Sequence, residues 1–334
     1  MQTVIGWDIG GAHVKAARIE GGRIVEVKQL PCPLWLGADR LAPALATLLA
    51  GFGPADLHVA TMTGELADVF ANRREGVLTI AATIGQAMSP EKVQLYAGRR
   101  GLIALSSAAD HFEDIASANW HASASLAARQ GDGLLVDIGS TTTDIIPLRG
   151  GEVRAQGYTD AERLACGELV YTGMTRSFVM ALAPRAPFAG AWTTLAAEYF
   201  ASAADVHRIL GTLDEHADQM DTADGRPKTV AASRARLARM IGHDAADATD
   251  TDWHALAGWF AEMQLRQIHD GALLVLSRAF LADDAPVIAA GIGAPLVRRL
   301  AERLGRRCVP FANNTVAWAD ACAPAVAVGL LAAQ

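Results

Sequence analysis

The sequence is poor in cysteine, has no basic surplus and contains no long apolar run. Its four cysteines, Cys32, Cys166, Cys308 and Cys322, stand far apart in 334 residues and form no CxxC pair. That spacing supports neither a disulfide framework nor a thiolate zinc site, and it suits a reducing compartment. Lysine and arginine number 29 against 36 acids, for a net charge of −7. Proteins that neutralise nucleic-acid phosphates carry a basic patch, so no nucleic-acid partner is expected. The longest apolar stretch, near Ala272 to Ala282, is broken by Ser277 and Arg278. It falls short of the roughly 20 residues a spanning helix needs. The first residues read as a strand, with no basic segment followed by an apolar leader. No membrane partner is expected, and a cytoplasmic location is. Alanine supplies much of the 51% hydrophobic content, so the surplus is in small residues.

What the chain does have is a pair of similar loops. Gly6-Trp7-Asp8-Ile9-Gly10-Gly11-Ala12-His13-Val14-Lys15 stands near the start, and Val136-Asp137-Ile138-Gly139-Ser140-Thr141-Thr142-Thr143-Asp144 comes later. Each is an apolar strand ending in Asp, then Gly, then small or hydroxylated residues, then a return strand. Glycine at a hairpin tip accepts positive φ and admits a ligand close to the backbone. Exposed N–H groups there form an anion-binding concavity. Asp8 and Asp137 suit a hydrated Mg²⁺, which keeps waters and takes one or two carboxylates plus phosphate oxygens. Lys15 adds a mobile charge, and Thr141, Thr142 and Thr143 add hydroxyl donors. One such loop reads equally well as an ordinary hairpin. Two, each opening a lobe-sized stretch, point to a duplicated fold that holds a phosphorylated ligand between two halves.

The length suits a bilobal enzyme. The pattern predicts strands over 3–9, 13–20 and 23–30, a helix over 41–49, a strand over 57–61, and helices over 64–74, 79–87 and 115–129. The meander then returns, with strands over 134–138, 143–149 and 152–157. Helices are expected over 167–183, 192–201, 203–213, 233–242, 253–282 (one or two), 295–304 and 324–332, with a polar loop over 216–228 and strands over 286–290 and 307–311. Domains are expected at 1–131 and 132–322. A helical substrate or lid insertion lies around 160–282, and a terminal helix over 323–334 packs back on the first lobe.

The paired loops resemble the phosphate motifs of the actin, sugar-kinase and heat-shock-ATPase superfamily. Val287-Ile288-Ala289-Ala290-Gly291-Ile292-Gly293 is similar to its adenosine motif. Helices over 118–129 and 323–329 resemble its inter-lobe connectors. The resemblance implies an α/β, two-lobed, actin-like (ribonuclease H-like) ATPase fold, with ATP or ADP as a ligand the fold can take. A narrower match is to hydantoinase/oxoprolinase-related proteins of tetrahydromethanopterin-linked C1 transfer. It rests on Gly6–Lys15, Thr61–Asp68, Ala118-Asn119-Trp120, Tyr158-Thr159-Asp160, Arg163-Leu164, Gly167–Gly173 and Asp221–Arg226. The best-described members are synthases of methanofuran biosynthesis. They join an aminomethylfuran-methyl diphosphate to the phenol of γ-glutamyltyramine and release diphosphate. His13 stands where many archaeal relatives have Asn. The alanine and arginine bias resembles a GC-rich bacterium, where the product is methylofuran and the acceptor tyrosine- or tyramine-based.

That resemblance implies Mg²⁺, a small-molecule diphosphate and a phenolic substrate; a homodimer is also entertained. Asp8, Lys15, Asp137 and Glu168 are the catalytic candidates, with Asp8 and Asp137 on the metal. Gly10, Gly11, His13, Gly139, Ser140, Thr141, Thr142, Gly291 and Gly293 are the phosphate contacts. Thr61, Thr63, Glu65, Asn119, Asp160, Tyr171 and Arg226 are the substrate contacts. A phenol has a pKa near 10 and needs a base. Asp137 is the first choice, with Asp144, Glu168, Asp160 and His13 behind it. Bland alternatives stand beside these. Glu168 reads equally as a first-turn helix acid, Asp160 as an N-cap, Trp120 as core and Tyr171 as half-buried structure. Asp221, Asp224, Arg226 and Lys228 read as a solvated loop or as a lid. Cys166 is expected at a helix N-terminus, which lowers a thiol pKa. Three competing functions are an ATP-dependent kinase, a non-enzymatic nucleotide switch and ATP-assisted hydantoin or oxoproline hydrolysis.

Overall fold

The computed structural model describes residues 2–312 and 316–333. The chain divides into two compact units. One comprises Met1–Asp132, Leu148–Val153 and Pro310–Gln334; the other comprises Gly133–Pro147 and Arg154–Val309. The C-terminal return to the first unit begins at Pro310, ahead of the expected 323, and Gln334 lies outside the described residues. No helix among the described residues is long and apolar enough to cross a membrane.

The first unit is built on a meander. β1 (Thr3–Ile9) pairs antiparallel with β2 (His13–Glu20), and β2 with β3 (Arg23–Pro31). Gly21 and Gly22 make the β2–β3 turn with φ of 54° and 76°, the left-handed pair a tight hairpin requires. Helix α1 (Leu41–Phe52) stops at Gly53, φ 74°. β4 (Leu57–Met62) then returns parallel to β1. After α2 (Arg73–Ala87) come β5 (Val93–Tyr96) and the edge strand β6 (Leu102–Ala104), giving the order β3-β2-β1-β4-β5-β6. The expected helix over 64–74 is only a single 3₁₀ turn, Gly64–Leu66. The α-helix begins later because Asn72 caps it, accepting the Glu75 N–H at 2.9 Å. The expected helix over 115–129 is two pieces, α3 (Phe112–Ile115) and α4 (Asn119–Ala128), broken at Ser117 with φ 53°. The C-terminal helix Ala323–Ala332 crosses β1 closely. A Cβ on Gly6 would lie 2.1 Å from the Ala325 carbonyl oxygen, so glycine is required there.

The second unit repeats the plan. β7 (Gly133–Ile138) leads to β8 (Thr143–Arg149), whose last residues turn back into β9 (Glu152–Val153) within the first unit's segment Leu148–Val153. The expected third strand over 152–157 is split. The chain leaves β8 after β9, forms α5 (Asp160–Cys166), and rejoins β8 as β10 (Leu169–Val170), opposite Thr143 and Asp144. The expected helices over 167–183 and 192–201 are absent. Gly167, φ 77°, ends α5 instead of starting a helix, and only the turn α6 (Val179–Leu182) follows. β11 (Arg185–Phe188) and β12 (Ala191–Thr194) form a hairpin turned at Ala189 and Gly190, φ 48° and 81°. The expected insertion over 160–282 is therefore not wholly helical. α7 (Ala203–Ile209), α8 (Val230–Arg239) and one continuous α9 (Asp250–Leu276) complete it. β13 (Val287–Ala290) runs parallel to β7, followed by α10 (Ala294–Arg303) and β14 (Cys308–Pro310). The sheet order is β10-β8-β7-β13-β14. Strand for strand this matches β3-β2-β1-β4-β5, so the duplication read from the two loops extends to both sheets.

Candidate functional site

In the first unit, sheet register sets the constellation. Asp8 on β1 lies opposite Lys15 on β2 and Thr61 on β4. Asp8 is 3% exposed, and Lys15 Nζ stands 3.7 Å from its Oδ2. The Thr61 hydroxyl is fully buried and has no hydrogen-bond partner among the described residues. The loop closes when Gly10 N–H donates to the His13 carbonyl at 2.9 Å. Gly11 has open space where a side chain would stand, and His13 is buried. The Thr63 N–H donates to the Ile9 carbonyl at 3.0 Å, seating the next segment on the loop. Glu65 is buried and accepts from Ser117 Oγ at 2.9 Å. Asn119 follows two residues later, its Oδ1 taking the Trp120 N–H at 2.7 Å. Thr61 and Thr63 are thus brought beside the first loop. Glu65 instead meets the entry to α4. Trp120 is core.

The second unit carries the same closure. Gly139 N–H donates to the Thr142 carbonyl at 2.9 Å, the same three-residue spacing as Gly10 to His13. Asp137, the penultimate residue of β7, lies beside Ala290 of β13. Gly291 (φ 80°) and Gly293 lie on this strand end. A Cβ on Gly291 would stand 2.3 Å from the Ile138 oxygen and 2.4 Å from Asp137 Oδ1. The Gly293 N–H donates to the Ile138 carbonyl at 2.9 Å. The glycine turn and the second loop are one structure within this unit.

Sequence reasoning missed a third segment here. Gly173–Arg176 clasps the loop: the Met174 N–H donates to the Gly139 carbonyl at 2.9 Å and the Arg176 N–H to the Ser140 carbonyl at 2.8 Å. Arg176 Nη1 donates to Thr141 Oγ1 at 3.2 Å. A Cβ on Gly173 would lie 2.5 Å from both the Ser140 carbonyl carbon and the Thr141 nitrogen. Burial pulls the Arg176 pKa below its ordinary value, opposed by the phenols of Tyr171 and Tyr199. The clasp is braced from below. Gln264 Nε2 donates to the Gly173 carbonyl at 2.7 Å and to Thr172 Oγ1 at 3.0 Å, and its Oε1 is 2.8 Å from His207 Nε2. Burial lowers the His207 pKa, and Nε2 carries the proton that reaches the amide oxygen. The only sequence signals are the glycine that ends the Gly167–Gly173 segment and an arginine three residues beyond it.

Other candidates are committed elsewhere. Asp144 is ion-paired with the buried Arg163, whose Nη1 stands 3.9 Å from Asp160. Asp160 is the first residue of α5; the N-cap is Thr159, in a capping box with Glu162. Glu168 is not in a helix. It is fully buried, accepts the Gln156 and Gly157 N–H groups at 2.7 and 2.9 Å, and pairs with Arg278. Three donors hold it as a clamp across the excursion in the split third strand. Tyr171 is 67% exposed rather than half-buried. Cys166 ends α5, with Sγ 3.6 Å from the Arg163 carbonyl, so it is at no helix N-terminus. In the 216–228 loop, Asp224 binds Arg236 Nη1 at 3.0 Å and Lys228 donates to the Asp218 carbonyl at 2.5 Å. Arg226 is exposed, 3.8 Å from Asp224. Among the described residues no three His, Cys, Asp or Glu side chains gather as a metal cage.

Comparison with known proteins agrees with this architecture. An acetone carboxylase, from a study of ATP-dependent acetone carboxylation, superposes with TM-score 0.62 at 13% identity, over 98% of this chain and 70% of that one. Component A of (R)-2-hydroxyglutaryl-CoA dehydratase from Acidaminococcus fermentans gives TM-score 0.51 at 14% identity, over 99% and 97%. These likenesses show the fold, which is α/β and of the actin-like ATPase type. In sequence, the chain is 32% identical over 298 residues to the (4-{4-[2-(γ-L-glutamylamino)ethyl]phenoxymethyl}furan-2-yl)methanamine synthase of Methanocaldococcus jannaschii, covering 88% of this chain and 87% of the relative. The model of the hydantoinase/oxoprolinase family matches residues 56–333, and the chain belongs to that family.

Proposed function

We propose that the protein is a transferase of methanofuran or methylofuran biosynthesis. It condenses an aminomethylfuran-methyl diphosphate with the phenol of a tyramine- or tyrosine-based glutamyl acceptor. The observation that carries this reading is the similarity, over 88% of the chain, to a furan–phenoxymethyl synthase, in a chain where each unit keeps an Asp-Ile-Gly loop closed by the same hydrogen bond. The reaction forms a bond from the phenolic oxygen to the furfuryl carbon and breaks that carbon's bond to diphosphate, which leaves with the electron pair. The phenolic proton goes to a base. Asp137 is the base in this reading, because Asp144 and Glu168 are held by arginines.

Charge grows on the departing diphosphate, and preorganised donors stabilise it without reorganising. In the second unit the loop amides and hydroxyls from Gly139 to Thr142 supply them. In the first, Asp8, Lys15 and the Gly10–His13 loop form a second anion site. Mg²⁺ fits the residues present, since it needs only one or two carboxylates beside phosphate oxygens and water, and the buried Asp8 offers one. Bound there, it would neutralise phosphate charge. Mass spectrometry of protein, Mg²⁺, the furfuryl diphosphate and each phenolic acceptor tests the reading. An aryl ether with stoichiometric diphosphate is expected. Transfer of the γ-phosphate of labelled ATP to an acceptor, with no ether, would instead make the protein a kinase.

A further inference from the structure

We propose that Arg176 is an anion-binding residue of the second loop and holds a diphosphate group there by its guanidinium fork. The inference rests on the reading above that this loop takes a diphosphate. Three observations carry it.

The first is placement. The loop and the Gly173–Arg176 segment are joined by main-chain hydrogen bonds from Met174 to Gly139, and from Thr175 and Arg176 to Ser140, at 2.8–3.2 Å. Gly173 lies so close to Ser140 and Thr141 that no side chain fits between them. Arg176 therefore moves with the loop as one body.

The second is aim. Nη1 donates to Thr141 Oγ1 at 3.2 Å, which directs the planar head along the hydroxyl-bearing edge of the loop. A guanidinium presents five donors in a rigid fork that matches phosphate oxygens two at a time. Thr141 Oγ1, accepting from Arg176, also lies 3.4 Å from Ser140 Oγ, so both hydroxyls stand together beside the guanidinium.

The third is environment. The guanidinium is partly withdrawn from solvent. A partly buried cation binds an anion more strongly than one on an open surface. The brace of Gln264 and His207 beneath Gly173 holds the backbone of this cation in place, which is the support a preorganised binding group requires.

Titration calorimetry of inorganic pyrophosphate with Mg²⁺ into the full-length protein tests this without any turnover. Wild type is expected to bind, Arg176→Ala to bind at least tenfold more weakly, and Arg176→Lys to recover part of the loss, since a point charge replaces a fork. The melting temperature of both variants should stay within a few degrees of wild type, because the clasp is made by backbone. Should the alanine variant not fold, Arg176→Lys with a several-fold weaker Kd gives the same answer. Wild-type binding that either folded variant keeps within twofold, or no pyrophosphate binding by wild type, overturns the proposal. A protein that binds pyrophosphate through Arg176 yet forms no aryl ether would leave this site standing and sink the synthase reading.

Discussion

At the scale of single residues, the division of labour among carboxylates makes the sharpest predictions. Asp137→Asn should lower kcat/KM for ether formation by roughly 10²–10⁴-fold, the range for a lost general base, with an unchanged circular dichroism spectrum. A variant as active as wild type would remove Asp137 from the chemistry. Glu168→Ala should behave in the opposite way. It strands Arg278 and two backbone N–H groups, and breaking a buried pair costs about 3–5 kcal/mol, readable as a lower urea midpoint. The sequence placed both acids near one loop and ranked Asp137 first, but it did not show what holds Glu168. Glu168 is told apart by Arg278, 110 residues away, and no local pattern encodes such a partner. Arg176 was missed for the same reason: its meaning comes from Thr141, 35 residues upstream.

At the scale of elements, the parts set by local chemistry were legible and those set by tertiary contact were not. Strands β1 and β7 follow from apolar runs ending in Asp-Ile-Gly, β2 and β8 are the return strands after them, and both loops close by the same i to i+3 hydrogen bond. The stretches 167–183 and 192–201 read as helix, yet the region forms β10, a single turn of helix and a hairpin. There the contacts of Gly167 with α9 and of Gly173 with the second loop override propensity. The excursion carrying α5 should be sensitive to its cap. Thr159→Ala removes a capping box and should cost about 1 kcal/mol by chemical denaturation. Gly291→Ala should be worse. It combines φ of 80° with a Cβ 2.3 Å from Ile138 oxygen. Strain of this kind costs about 1–3 kcal/mol, and the displaced turn should also weaken pyrophosphate binding. A variant as stable as wild type would mean the turn does not pack as described.

At the scale of the whole molecule, stability should fall in mild acid. Burial, with a smaller push from Lys92, lowers the His58 pKa to about 4, and the neutral ring accepts the Trp7 Nε1–H at 3.2 Å. The unfolded chain regains a pKa near 6.5, so it binds the proton first. The contribution of His58 is complete above pH 6.5 and is lost as pH drops toward 4, by up to about 3 kcal/mol. Urea midpoints measured from pH 7.5 to 4.5 should fall, and His58→Gln should flatten the curve. An equally steep curve in the variant would assign the loss elsewhere. Buried His207, also held neutral, adds to the same slope.

The most direct measurement is product analysis of the purified protein with Mg²⁺, the aminomethylfuran-methyl diphosphate and a γ-glutamyltyramine or tyrosine-based acceptor. An aryl ether and an equal amount of diphosphate, both lost in Asp137→Asn, are the expected result. Absence of ether with every phenolic acceptor, from a folded protein, would contradict the proposed function.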